Sequence, residues 1–134
     1  MDKTNVKVEF IITGEEFNVT EISDLLKLIP SKSWDKGDDI PGKSIKRVET
    51  IWMIETEYEE SLDINEQLSK ILDSIVDKKL ILKEIKTKYS LEYVFAIVIN
   101  VENNEKPSMY FNHDFIEFAS EIKAEFYVDL YIYS

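Results

Sequence analysis

Carboxylates are the side chains whose number and spacing could most readily do chemistry in this sequence. No basic residue occurs between Val48 and Ser69. From Glu55 onward, the acids of this stretch are Glu55, Glu57, Glu59, Glu60, Asp63 and Glu66. Paired carboxylates can bind Ca²⁺ or act as acid and base, but the run lacks the Asp-x-Asp-x-Asp-Gly pattern of a calcium loop. We therefore favour a solvated strand end and helix cap, with docking of a basic partner as the functional alternative.

Histidine and cysteine chemistry is nearly absent from the sequence, which has one histidine, His113, and no cysteine. A zinc site would need further ligands of these types, and no Gly-x-Ser-x-Gly motif marks a nucleophile. We interpret His113 as a surface residue at a helix start. We expect no catalytic residue, no metal and no cofactor, and a non-enzymatic role is favoured.

Tyrosines form a second candidate surface. Tyr127, Tyr131 and Tyr133 share one side of the last predicted strand, and Trp52 and Tyr110 could extend the patch if their faces agree. Tyrosine and tryptophan suit protein interfaces because they bury a large area and keep a polar group. The alternative is that these tyrosines are half-buried sheet residues beneath a long loop.

Charge and composition limit the possible partners. The chain has 27 Asp and Glu against 16 Lys and Arg, a formal net charge of -11. Such a chain repels nucleic acid and anionic membranes and attracts basic proteins. The 44% hydrophobic and 12% aromatic content of the 134 residues predicts a single domain over 1–134 with a real core. No secretion signal is visible and the longest apolar run is too short for a membrane helix, so we expect a cytoplasmic protein.

The elements that must position these residues follow from hydrophobic periodicity. Alternation predicts strands over 6–12, 48–56, 92–101, 109–111 and 126–132, and helical spacing predicts helices over 19–29, 64–75, 80–89 and 115–122. Residues 30–46 hold two of the three glycines and two of the three prolines, which predicts a long loop. The fold class is α+β: a two-layer sandwich with a mainly antiparallel five-stranded sheet and helices on one face.

Several spaced residues together resemble a known family. They are Phe10-x-Ile12-x-Gly14, Lys36-Gly37-Asp38, Trp52, Pro107 and Asp129-Leu130-Tyr131. This pattern resembles the domain-of-unknown-function family 4279, which consists of small, single-domain bacterial proteins. The family has no established catalytic residues, so the resemblance implies none. Some small acidic bacterial families act as immunity proteins against toxins, and we use this as an analogy.

The leading hypothesis is a protein-binding module, in the sharpest version an immunity protein that neutralises a basic toxin domain. The electrostatic field that attracts the partner would come from Glu55, Glu57, Glu59 and Glu60. The direct contacts with the partner would come from Trp34, Tyr131 and Tyr133. One alternative is a small-molecule-binding protein or enzyme with a carboxylate-based cleft formed by Asp38, Asp129 and His113. Another is a homodimeric structural or interaction protein that pairs through the last strand, so the chain could be a monomer or a homodimer.

Overall fold

The central strand of the sheet forms from the alternating segment near the N-terminus. In the computed structural model, which describes residues 3–133, β1 spans Asn5–Gly14. Its even-numbered side chains from Val6 to Ile12 are completely buried, whereas Lys7 and Glu9 lie on the opposite face. One buried sheet face requires an apolar period of two, and this predicted strand is confirmed.

Six strands of the described residues form one open, mostly antiparallel sheet. After β1 they are β2 (Lys32–Trp34), β3 (Thr50–Glu55), β4 (Glu59–Glu60), β5 (Glu92–Val101) and β6 (Glu125–Ile132). The strand order is β2-β3-β1-β5-β6, and β4 pairs with the start of β1. Only β5 and β6 run parallel in this sheet. The two ends of the strand order are therefore β2 and β6.

Four α-helices lie within the described residues. They are α1 (Val19–Leu26), α2 (Ile64–Ile75), α3 (Lys79–Tyr89) and α4 (His113–Glu121), with a 3₁₀ turn at Val76–Lys78 before α3. Polar side chains cap three of them: Asn18, Asp63 and Asn112 accept from backbone N–H groups of the first turn. Each cap satisfies one of the amide groups that a helix start leaves without a partner.

The core lies between one face of the sheet and the helices, which confirms the α+β fold. Its largest fully buried side chains include Trp52, Tyr93 and Phe95 from the strands and Phe115 from α4. The Phe95 ring lies 4.9 Å from the Phe115 ring between centroids, and this contact joins the two layers. Because the four helices of residues 3–133 pack on this side, the other side of the sheet has no helical layer within the described part of the chain.

Two predicted boundaries in the first third of the chain are wrong. The first helix ends at Leu26 and not near Pro30, because Lys27 adopts the left-handed conformation at φ 56°. Residues 30–46 are not a continuous loop, because β2 pairs with β3 inside this segment. Residues 35–46, which follow β2, form an arm in which Asp39 and Lys46 make an isolated antiparallel β-bridge.

The predicted strand over 109–111 is also wrong. Residues 109–111 lie outside the strands: their neighbour Ser108 forms an isolated bridge with Asp63, the N-cap of α2, and the carbonyl of Tyr110 accepts from the Asn65 side chain at 2.9 Å. The position beside β5 belongs to β6, which runs parallel to it. The strand count rises from five to six because two short strands, β2 and β4, replace this one.

Candidate partner-binding face

The side of the sheet away from the helices carries the odd-numbered side chains of β1 and their cross-strand neighbours, and we call it the open face. Rows of neighbouring residues cross it, among them Glu60–Asn5–Asn100–Tyr131, Glu55–Glu9–Ala96–Tyr127 and Trp34–Ile51–Thr13–Glu92. At about 4.8 Å between strands and about 3.3 Å per residue, the face measures about 19 Å across and about 26 Å along. The projected area is about 500 Å², below the about 800 Å² per partner of a standard stable interface, so a protein partner would also contact residues around the face.

A charge network occupies the middle of the open face. The Lys7 ammonium lies 3.7 Å from a carboxylate oxygen of Glu9 and 3.8 Å from one of Glu55. Lys32 approaches Glu55 from the next strand at 3.2 Å. The side chains of Lys7, Glu9 and Glu55 are only 15–16% exposed, so these charges are largely withdrawn from water. Ion pairs in such a setting interact more strongly than those on a fully wet surface.

Burial changes the protonation of this network. It raises the pKa of the Glu9 carboxyl and outweighs Lys7, and the neighbouring Glu55 raises that pKa further through a hydrogen bond and its charge. Burial alone would lower the pKa of Lys7, but Glu9, Tyr58 and Glu55 together raise it. The carboxyl pKa of an ordinary ion pair would be lowered. The pKa of Glu9 departs from that rule because burial outweighs the attraction of Lys7 and because a second carboxylate, Glu55, shares the site.

Tyrosines border the network on the β6 side. Tyr127 and Tyr131 are 48% and 50% exposed, and Tyr133 continues the same side just past the strand. The pKa of the Tyr127 phenol is raised by burial and then by Asp129 and Glu9. On the opposite side, the Lys7 ammonium lies 4.6 Å from the centroid of the Tyr58 ring. The open face therefore combines fixed charges with half-exposed aromatic rings.

The open face brings together most of the residues chosen from the sequence. Glu55, Glu60 and Tyr131 belong to its rows, and Trp34 lies at its far corner, where the guanidinium of Arg47 sits 3.9 Å above its ring. Trp34 and Tyr131 share a face, but β2 and β6 hold them at opposite ends of the strand order. The long loop leaves from the β2 end, so it does not place the β6 tyrosines beneath it.

Two predicted acids lie elsewhere. Glu59 points to the helix side, where its carboxylate accepts from Gln67 at 3.0 Å and from Lys70 at 2.7 Å. Both hydrogen bonds lower the pKa of Glu59. Glu57 is an exposed residue of the turn between β3 and β4. These two acids add to the overall charge, but they do not belong to the open face.

The proposed extensions and the alternative cleft are not assembled. Trp52 faces the core, where its indole N–H donates to Ser23 Oγ at 2.9 Å, and Tyr110 lies outside the strands. Asp38 accepts from the backbone N–H of Asp35 in the arm, whereas His113 begins α4 in the helical layer. Of that trio, only Asp129 lies on the open face.

Sequence reasoning missed two of the three enclosed charges of the network, Lys7 and Glu9. Their signal was present, because two charged residues at alternating positions of a strand point to the same side. What the sequence lacked was the register that sets Glu9 opposite Glu55 and in one row with Tyr127.

Comparisons with known proteins give a family and no function. Among the helices of residues 3–133, none is long and apolar enough to cross a membrane. No curated protein and no solved structure matches the chain significantly. The family model described as a domain of unknown function, DUF4279, matches residues 4–133, nearly the whole chain. The resemblance drawn from the spaced residues is thereby confirmed, and the chain belongs to the DUF4279 family.

Proposed function

We propose that this chain is a cytoplasmic, non-enzymatic protein-binding module that docks a basic protein on the open face. The observation that carries the proposal is the combination of Glu55, Glu9 and Lys7, held nearly out of water, with the half-exposed ring of Tyr131 on a sheet face without a helical layer. Fixed charges orient a partner and speed encounter, while tyrosines supply contact area and affinity.

Charge favours a basic partner. The open face carries the acids Glu9, Glu55, Glu60, Glu92, Glu125 and Asp129, and they outnumber its cations, Lys7, Lys32 and Arg47. The whole chain adds a field of the same sign, with a net charge of -11. Complementary fields raise association rates, and this effect weakens as salt rises. An immunity protein that neutralises a basic toxin domain is the form of this function that charge and size favour.

The test is a pull-down: the purified chain serves as bait for partners from a lysate of the native host, at low and at high salt. Glu60→Lys and Tyr131→Ala change exposed positions of the open face, and Glu84→Lys is a matched control on an exposed position of α3. We expect a basic protein to be captured by the natural chain and by Glu84→Lys, and to be lost with both face variants. Equal capture by all four proteins would place docking elsewhere.

The immunity form has a test of its own. If the captured protein arrests growth when it is expressed alone, co-expression of the natural chain restores growth. Glu60→Lys fails to restore it, whereas Glu84→Lys succeeds. If the captured protein does not arrest growth, the immunity role is refuted, while the proposal of a protein-binding function still holds.

The Glu9–Glu55 pair favours a second candidate function, a small-molecule site. Two cross-strand carboxylates, one with a raised pKa, beside Lys7 are an arrangement that can bind a cationic ligand or exchange a proton. Thermal-shift screening with small cationic ligands tests it, using Glu55→Gln as the variant. A ligand whose stabilisation disappears in Glu55→Gln, with no protein captured, would favour this candidate over docking.

A further inference from the structure

The last strand, β6, is an edge whose hydrogen-bonding groups face outward. The N–H of Tyr133 donates to the carbonyl of Val101 at 2.9 Å, so the odd-numbered residues of this segment direct their backbone groups to β5. Backbone groups alternate in direction along a strand, and those of Phe126, Val128 and Leu130 therefore point away from the sheet. An exposed row of this kind is a template for another strand.

Both faces of β6 are half-exposed: the helix side is apolar, and the open side combines tyrosines with two acids. The large side chains between Phe126 and Tyr133 are each 42–59% exposed: Phe126, Tyr127, Val128, Leu130, Tyr131, Ile132 and Tyr133. Natural edges are usually protected by lysine, proline or a bulge, and the segment 125–132 contains neither lysine nor proline. Its charged residues, Glu125 and Asp129, both point to the open face. The strand thus has the properties of an interface and not those of a protected edge.

We propose that two copies of this chain pair through β6, antiparallel about a two-fold axis at Val128, to form one continuous sheet. Symmetric antiparallel pairing sets residues of the same face opposite each other, so only registers centred on one residue are possible. Two such registers pair most of Glu125–Ile132: one is centred on Val128 and the other on Asp129.

Charge decides between the two registers. Centring on Asp129 would set this carboxylate directly opposite the partner's Asp129, which destabilises the pair. Centring on Val128 sets Asp129 opposite the partner's Tyr127 and Glu125 opposite the partner's Tyr131. On the helix side, Phe126 meets the partner's Leu130. The outward backbone groups of Val128 then form the hydrogen-bonded pair at the axis, in agreement with the direction of the Tyr133 N–H.

The available area suits a dimer that depends on concentration. The half-exposed side chains of β6 expose on the order of 600 Å² per chain, since a large aromatic side chain presents about 150–250 Å². Pairing of two edges covers only the partner-facing part of this area, which is less than the about 800 Å² per partner of a standard stable interface, so the backbone hydrogen bonds of the paired edges must contribute to the association.

Cysteine cross-linking tests the register, because the chain contains no natural cysteine. In the proposed dimer the two Cα atoms at position 128 lie about 5.5 Å apart, within the range of a disulfide. Those at position 132 are offset by about 27 Å along the strands. Under mild oxidation we expect Val128→Cys to form a covalent dimer and Ile132→Cys to remain uncross-linked. Equal cross-linking of the two variants, or cross-linking of Ile132→Cys alone, would overturn the register.

Light scattering over a range of concentrations tests the dimer itself. The natural chain should reach twice the 15.7 kDa of one copy, and Val128→Lys should remain a monomer with an unchanged circular dichroism spectrum. Ile116→Lys changes a similarly exposed apolar residue on α4 and should still dimerise. A natural chain that stays monomeric at every concentration, or a Val128→Lys chain that dimerises as the natural one does, would refute the proposal. None of these measurements needs the basic partner of the proposed function, so the two proposals can fail separately.

Discussion

Replacing Lys7 by methionine removes the cation of the charge network and keeps most of its hydrophobic stem. Two carboxylates then remain within a site where each side chain is only 15–16% exposed. A unit-charge pair at 4 Å is worth about 4 kcal/mol before desolvation at an effective dielectric constant near 20. Exposed pairs give about 0.2–1 kcal/mol net, and loss of one partner of a buried pair costs about 3–5 kcal/mol. We expect an intermediate loss of about 2 kcal/mol at pH 7.

The loss should depend on pH with a defined sign. The pKa of Glu9 is raised above its ordinary value of 4.5, so the folded state binds this proton more tightly than the unfolded state. Its contribution to stability is fully present below pH 4.5 and is lost as pH rises through the folded pKa. Once Glu9 is protonated, Lys7 faces one fewer carboxylate. The cost of Lys7→Met should therefore shrink at pH 4, and Glu9→Gln should match or exceed the natural chain in stability at pH 7.

Urea unfolding at pH 7 and pH 4 measures these changes. The double variant Lys7→Met with Glu9→Gln should lose less than Lys7→Met alone, because one unpaired carboxylate is gone. Lys36→Met is the control: its ion pair with Glu15 is shorter, at 3.0 Å, but much more exposed, so the loss of stability should stay below about 0.5 kcal/mol. Two results would refute the view that these charges are shielded from water. One is a loss of unfolding free energy in Lys7→Met at pH 7 as small as that of Lys36→Met. The other is a loss in Lys7→Met that is the same at pH 4 as at pH 7.

Three further changes test the packing that positions the open face. Asn112→Ala removes the cap that accepts from the Phe115 N–H at 3.0 Å and should cost about 1 kcal/mol, seen as a Tm about 3 °C lower in calorimetry. An unchanged Tm would mean that α4 needs no cap. Trp52→Phe loses the indole bond to Ser23 and leaves a gap in the core, so urea unfolding should show a loss of about 2 kcal/mol; a loss below about 0.5 kcal/mol would contradict the burial of Trp52. Tyr93→Phe removes a buried hydroxyl that donates to the Leu82 carbonyl at 2.6 Å and should cost about 1 kcal/mol in the same assay. A more stable Tyr93→Phe chain would show that this hydrogen bond contributes nothing net.

Elements with one strongly apolar face could be predicted from the sequence. The first strand and the helix at 64–75 follow directly from periods of two and 3.6, because burial of one face selects those spacings. The end of the first helix could not be found in this way. The apolar spacing continues to Ile29, yet that side chain is 90% exposed, because the chain must turn at Lys27 to reach β2. A tertiary requirement overrode the local pattern there.

The open face could be predicted only in part, for a related reason. That Glu55 and Tyr131 lie in strands follows from alternation, but their common side depends on strand order and register. Those are long-range properties: β1 pairs with β3 on one side and with β5 on the other, across large sequence separations. Glu59 shows the limit clearly, since one residue decides whether an acid of β4 joins the face or binds Lys70 of α2.

The last strand connects the fold to both proposals. Its alternation of apolar residues and tyrosines is typical of a strand with one buried side, yet Val128 and Leu130 on the helix side are as exposed as Tyr127 on the open side. The helical layer reaches β6 at Phe126, whose ring lies 5.6 Å from that of Phe115 of α4 between centroids. Pairing of two β6 strands would use this apolar side and would also set two open faces edge to edge in one sheet. A dimer of that form presents two charge networks to its surroundings. A basic partner should therefore bind with one partner molecule per chain. Val128→Lys should lower the capture of that partner, although it leaves every charge of the network in place.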